Sequence, residues 1–60
     1  MIVGIRFEGS RKIYYYLTSK KYYVGQKIKI NAPSGGTPDA TVMEINCKGS
    51  YPHIKELKEA

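Results

Sequence analysis

Alternation of apolar and polar positions is clearest from Tyr23 to Ile30, where Ile28 and Ile30 point one way and Lys27 and Lys29 the other. This is the pattern of a half-buried strand. Gly25, after Val24, gives the backbone freedom for a tight turn into it, and the Pro- and Gly-rich stretch from Asn31 to Pro38 ends it with turn chemistry. Residues 2 to 8 alternate in the same way, with Val3, Ile5 and Phe7 on one face and Gly4, Arg6 and Glu8 on the other. Residues 12 to 18 place Ile13, Tyr15 and Leu17 opposite Lys12, Tyr14, Tyr16 and Thr18, and their three consecutive tyrosines suit a sheet better than a helix.

The connection between the first two strands predicts a register. A two-residue loop of Gly9 and Ser10 pairs Phe7 with Lys12 and mixes the faces. A three-residue loop of Gly9, Ser10 and Arg11 pairs Glu8 with Lys12, Phe7 with Ile13, Arg6 with Tyr14, Ile5 with Tyr15, Gly4 with Tyr16 and Val3 with Leu17, so that the apolar residues share one side. The outer face then gains a Glu8 to Lys12 ion pair and a cation–π contact from Arg6 to Tyr14, and Gly4 leaves Tyr16 uncovered.

Ser19 to Tyr22 reads as a basic loop, and about Ala32 to Asp39 as a second hairpin loop, the most mobile part of the chain. Ala40 to Ile45 is a fourth strand whose alternation breaks between Val42 and Met43, which predicts a bulge or bend near Met43. After a turn from Asn46 to Pro52, residues 53 to 57 fit either a short fifth strand or a single helical turn. Ile54 and Leu57 are spaced for a helix, while Pro52 and the need for a closing strand favour pairing. The elements predict one all-β domain over residues 1–60, a strongly bent antiparallel barrel of about five strands, with the helical turn at the C-terminus left open.

Length limits what such a domain can do. At 60 residues the chain buries only about 60% of the surface its unfolded form exposes, which leaves a thin core and no room for a deep catalytic pocket in one copy. A homodimer, with a sheet continued across two copies, relaxes that limit. The single cysteine, Cys47, excludes an internal disulfide and the multi-cysteine zinc patterns. Arg6 arrives too soon for the apolar region of a signal peptide, and no apolar run approaches the roughly 20 residues that cross a bilayer, so the expectation is a cytoplasmic protein with no membrane partner.

Charge adds direction to this picture. The net charge is +5, and it is concentrated: Arg6, Arg11, Lys12, Lys20, Lys21, Lys27 and Lys29 face Glu8 alone before residue 30, whereas the remainder is slightly acidic. A one-sided positive field points to a polyanionic partner. On the predicted outer face, Tyr14 and Tyr16 stand with Lys12 beside Arg6, with Arg11 in the loop and Lys27 and Lys29 along the third strand. Tyrosines stack unpaired bases and lysines neutralise phosphates, so Arg6, Arg11, Lys12, Tyr14, Tyr16, Lys27 and Lys29 form a candidate surface for nucleic acid, single-stranded DNA or RNA in preference to duplex.

The competing expectation is protein binding, because exposed tyrosines beside arginine also make interface hot spots. The domain would then be an adaptor or inhibitor docking on an acidic protein surface, or the same face would form a homodimer. Catalysis fails on inventory. His53 and Cys47 are the only imidazole and thiol, they lie in the tail, and they lack an orienting partner. Two such ligands are too few for structural zinc, and no cofactor is expected. Ser34-Gly35-Gly36 lacks the lysine and helix of a phosphate loop and reads as hairpin loop.

Val-Gly-Ile-Arg-Phe at 3–7, Lys-Ile-Tyr-Tyr-Tyr at 12–16, Val-Gly-Gln-Lys-Ile-Lys-Ile at 24–30 and Ala-Thr-Val at 40–42 resemble the start of the polymerase-suppressor-type C-terminal domain of bacterial and phage proteins. The resemblance spans about residues 2 to 45. It departs from the family at Ala40, where the family has a glycine, and in the shorter tail. It implies a small barrel of Src-homology-3-like or KOW-like type, and free-standing copies of this length look like accessory proteins of phages or mobile elements, which for the inhibitor reading means action on a host protein. It implies a role for no individual residue.

Overall fold

In the computed structural model, which describes residues 1–31 and 35–60, the Val24-Gly25 turn forms as the sequence predicts. Gln26 N–H donates to Tyr23 O at 3.1 Å, and Gly25 takes a φ of 93° that side chains rarely adopt. The strand that follows buries Ile28 and Ile30 and exposes Lys27 and Lys29. Five strands result: β1 (Ile2–Phe7), β2 (Ile13–Leu17), β3 (Lys27–Lys29), β4 (Asp39–Glu44) and β5 (Lys55–Glu56), in one sheet of order β3-β4-β1-β2-β5.

The neighbours run antiparallel except β2 and β5, which pair in parallel through Tyr16 with Lys55 and Leu17 with Glu56. The sheet is therefore mixed rather than wholly antiparallel. The tail supplies a strand, and the described residues contain no helix. A turn through Pro52 and His53, with Ile54 N–H donating to Tyr51 O at 3.1 Å, delivers the chain to β5. Of the expected hairpin loop at 32–39, Ala32, Pro33 and Ser34 lie outside the described residues; Gly35 to Pro38 are exposed, and β4 begins at Asp39.

β3 and β5 are the edges of this open sheet, and the last residues lie between them. Leu57 N–H donates to Leu17 O at 2.8 Å, Asn31 N–H to Lys58 O at 2.9 Å and Ala60 N–H to Lys29 O at 2.8 Å, while Ile30 and Glu59 form an antiparallel bridge. These bonds occupy backbone groups that an uncovered edge would offer to another chain. The core lies on the side of Val3, Ile5, Ile28 and Val42. Val3, Ile5 and Val42 are wholly buried, Ile28, Ile30 and Ala40 extend it across β3 and β4, and Tyr22 and Leu57 cap it. Tyr22, expected in a basic loop, is a core residue.

The irregularity expected in the fourth strand is present. Ile5 pairs with Val42 but Gly4 pairs with Glu44, so Met43 is an extra residue on β4 and bends it.

The first hairpin departs from its predicted register by one residue. β1 and β2 pair Ile2 with Leu17, Val3 with Tyr16, Gly4 with Tyr15, Ile5 with Tyr14 and Arg6 with Ile13. That is the register of a two-residue loop. The ladder nevertheless ends at Arg6 and Ile13, and the connection beyond it contains a turn centred on Glu8 and Gly9, in which Ser10 N–H donates to Phe7 O at 3.0 Å and Gly9, with φ 82°, takes the left-handed position that favours glycine. Beyond the ladder, Thr18 N–H donates to Met1 O at 2.8 Å and holds the same register. A slip of one residue exchanges the faces of the whole strand. Tyr14 and Tyr16 therefore share the side of Val3, Ile5 and Phe7, and Tyr15 shares the side of Arg6.

Candidate nucleic-acid interface

Of the cations expected on the outer face, Arg6, Lys27 and Lys29 are there, and Lys12 is not. Arg6 on β1 stands opposite Thr41 on β4, which stands opposite Lys27 on β3, so the three form a row across three strands. At the usual inter-strand spacing, the row spans roughly 10 Å from Arg6 to Lys27. In the next row, Lys29 faces Asp39, whose carbonyl accepts the Glu8 N–H at 2.9 Å. Arg11, in the turn, joins Arg6, Lys27 and Lys29 around one shallow groove that Glu8, Asp39 and Glu59 also border.

Glu59 is engaged elsewhere, in the ion pair with Lys20 at 3.3 Å. Among the described residues, none of Arg6, Arg11, Lys12, Lys27 and Lys29 joins an ion pair. The expected bridge from Glu8 to Lys12 does not form.

The aromatic half of the predicted site lies on the other side of the sheet. Phe7 and Tyr14 pack edge to face with ring centroids 5.5 Å apart. Lys12 Nζ lies 5.2 Å from the centroid of the Tyr14 ring, in the place expected for Arg6, which the register carries to the opposite face. Tyr14 stays 38% exposed, while Tyr16 is half-buried, and burial with the nearby Tyr14 pushes its hydroxyl above the ordinary tyrosine value. Phe7, Tyr14, Tyr16, Ile30 and Pro38 line an open groove of about 830 Å³, to which Lys55, Glu56 and Lys58 contribute at the tail.

The expected single basic-aromatic face is thus two surfaces. Arg6, Arg11, Lys27 and Lys29 stand together, Lys12, Tyr14 and Tyr16 stand together, and β1, β2 and their connecting turn separate the groups.

A third cluster was not foreseen. Tyr15 donates its hydroxyl to Glu44 Oε2 at 2.7 Å and stacks on Tyr51 with centroids 5.1 Å apart. Gly4 makes room for it, because a Cβ there would lie 3.0 Å from Glu44 Oε2 and Ile13 Cγ2 and 3.1 Å from Tyr15 Cε1. The bond to Glu44 is the main cause that pushes the Tyr15 pKa up to about 12. The signal for this cluster was Gly4 itself, a glycine within an apolar strand that marks a close approach.

Cys47 is half-buried, and burial followed by the Glu44 charge pushes its thiol up, away from the thiolate that acts as a nucleophile. His53 lies exposed in the Pro52-His53 turn. Among the described residues no group of three or more His, Cys, Asp or Glu side chains could hold a metal ion, and no helix is long and apolar enough to cross a membrane.

The fold and surfaces define a small all-β protein with a cationic sheet face and a separate aromatic groove. Comparison with protein-family models, curated proteins and solved structures finds no significant match.

Proposed function

We propose that this chain is a non-catalytic nucleic-acid-binding module whose outer sheet face holds the sugar-phosphate backbone. The observation that carries the reading is the row of Arg6, Thr41 and Lys27, flanked by Lys29 and Arg11, in which the cations make no ion pair among the described residues. Cations on β1 and β3, roughly 10 Å apart with β4 between them and without an ion pair among the described residues, suit phosphates along a strand, and a net charge of +5 adds long-range attraction. The bonds by which residues 57–60 join the sheet edges support reading the fold as a small barrel of Src-homology-3-like type, in keeping with the resemblance to the polymerase-suppressor-type domain.

The test is a fluorescence anisotropy titration with labelled single-stranded DNA, single-stranded RNA and duplex DNA at two salt concentrations. Affinity should fall steeply with salt, and replacing Lys27 and Lys29 together by Ala should reduce the slope of log affinity against log salt by about 1.4 on a single strand, about 0.7 for each phosphate no longer neutralised. Absence of binding at low salt, or an unchanged slope in the double variant, rejects the reading.

A second reading, an adaptor docking on a protein, draws support from the tip of the turn before β3, where Tyr23 is 67% and Val24 60% exposed. Tyr23→Ser would then abolish capture of the partner with little change in salt dependence.

A further inference from the structure

We propose that the groove between Phe7, Tyr14, Tyr16 and the tail is a base-binding subsite, separate from the cationic face, that takes an unpaired base of a single strand. The inference rests on the nucleic-acid reading above and adds to it the substrate class and the path of the ligand. Three observations point the same way.

The groove is lined by Phe7, Tyr14, Tyr16, Ile30 and Pro38 together with Lys55, Lys58 and the carboxylate Glu56. Lys12 adds a third cation over the Tyr14 ring. Flat apolar rings edged by positive charge complement a nucleotide, whose base is flat and whose phosphate is anionic.

The hydroxyls also differ. Tyr15 gives its hydroxyl to Glu44 and Tyr22 gives its to Glu59, whereas those of Tyr14 and Tyr16 have no partner among the described residues. Two phenols lining a groove, without a partner among the described residues, can bond to the edge of a base. Lys12 lies over the Tyr14 ring as an exposed side chain, and the arrival of a base on that ring would leave its ammonium free for the adjoining phosphate.

The two surfaces meet at the turn between β1 and β2. Arg11 belongs to the cationic groove on one side, and Lys12, the next residue, lies over Tyr14 on the other. A flexible strand can place phosphates on Arg6, Lys27 and Lys29 and pass the turn to deliver a base to Tyr14. A duplex keeps its bases stacked inside and cannot make the second contact.

The experiment compares a deoxythymidine oligonucleotide with an abasic oligonucleotide of the same length and a duplex of that length, by anisotropy at two salt concentrations. The thymidine strand should bind about ten-fold more tightly than the abasic strand, the difference expected for stacking one base. Tyr14→Ala should bring the two strands to equal affinity and leave the salt slope unchanged, while Lys27→Ala should weaken both alike.

Because Tyr14 packs on Phe7, ring-proton NMR of the unaltered protein provides a reading that needs no variant. The thymidine strand should move the Tyr14 and Tyr16 ring signals, and the abasic strand should leave them in place. Equal affinity of the unaltered protein for thymidine and abasic strands, or binding of the duplex as tight as that of the single strand, overturns the subsite while leaving the cationic face standing. No binding of any strand at low salt overturns both.

Discussion

Gly4→Ala isolates the feature on which the face assignments depend. Gly4 is buried within β1 opposite Tyr15, and its backbone needs no positive φ, so alanine is compatible with the main chain. The side chain is the difficulty. Its Cβ would meet Glu44 Oε2 and Ile13 Cγ2 at 3.0 Å and Tyr15 Cε1 at 3.1 Å, all closer than ordinary van der Waals contact. Relief requires the Tyr15 ring and the Glu44 carboxylate to give by a few tenths of an ångström, which strains the 2.7 Å bond between them.

Overpacking of this kind costs about 1 to 3 kcal/mol. The loss of backbone freedom in the unfolded chain offsets about 0.4 to 1 kcal/mol of it. The net expectation is a destabilisation centred on about 1.3 kcal/mol and no larger than about 2.6 kcal/mol, a large share of the stability of a domain this small.

Urea unfolding followed by circular dichroism would read this as a midpoint lower by about 1.3 M, and by no more than about 2.6 M, at an unchanged m-value near 1 kcal/mol/M. Alkaline titration of tyrosine absorbance gives an independent reading, because weakening the bond from Tyr15 to Glu44 moves its pKa from about 12 toward the ordinary tyrosine value of 10.0. In the register with Tyr16 opposite Gly4, neither effect is expected at Tyr15. A Gly4→Ala variant as stable as the parent, with the high-pH tyrosine step intact, would refute the observed register and with it the separation of the two surfaces.

Two further outcomes follow from the same geometry. Tyr15 has a folded pKa of about 12, raised above the 10.0 of the unfolded chain, so its contribution to stability is fully present below pH 10 and lost as pH rises through 12. Glu44→Gln should flatten that loss in unfolding curves taken between pH 9 and 12, and an unaltered curve would show that Glu44 is not its cause. Val42 is wholly buried beside Ile5 across the β1–β4 ladder, so Val42→Ala should cost about 2 to 3 kcal/mol, from the removal of two methyl groups and the cavity they leave. Differential scanning calorimetry should show this as a fall in Tm of about 10 to 20 °C, and a fall of a degree or two would mean that Val42 is not in the core.

The sequence was legible where one face of a strand had no rival. Ile28 and Ile30 alternate with lysines that cannot be buried, so β3 has one phase, and the structure has it. Val3 and Ile5 fix β1 in the same way, and the clash of Val42 with Met43 in a regular alternation located the bulge on β4.

β2 lacked that constraint. Ile13, Tyr15 and Leu17 on one side and Tyr14 and Tyr16 on the other are all acceptable against a core, because a tyrosine buries its ring and keeps its hydroxyl wet. Hydrophobic alternation cannot choose between such faces. Gly9 turns the chain at positive φ, Tyr15 lies over the bare backbone of Gly4, and Leu17 stays 46% exposed. Tyr22 and Leu57 were illegible for another reason. Each joins the core from an irregular or two-residue segment, where periodicity has too few residues to speak.

This asymmetry carries into function. The cationic half of the site stands on β1 and β3, whose phases the core dictates, so Arg6, Lys27 and Lys29 could be placed from sequence. The aromatic half stands on β2, whose phase its own alternation leaves open. The stability of Gly4→Ala and the preference for a base over an abasic site therefore test a single structural fact by different routes. If Tyr15 lies over Gly4, Tyr14 and Tyr16 face the groove, and base recognition can be removed without touching the salt slope. If it does not, tyrosines and cations share one face, and substitutions at Tyr14 should alter base preference and salt dependence together.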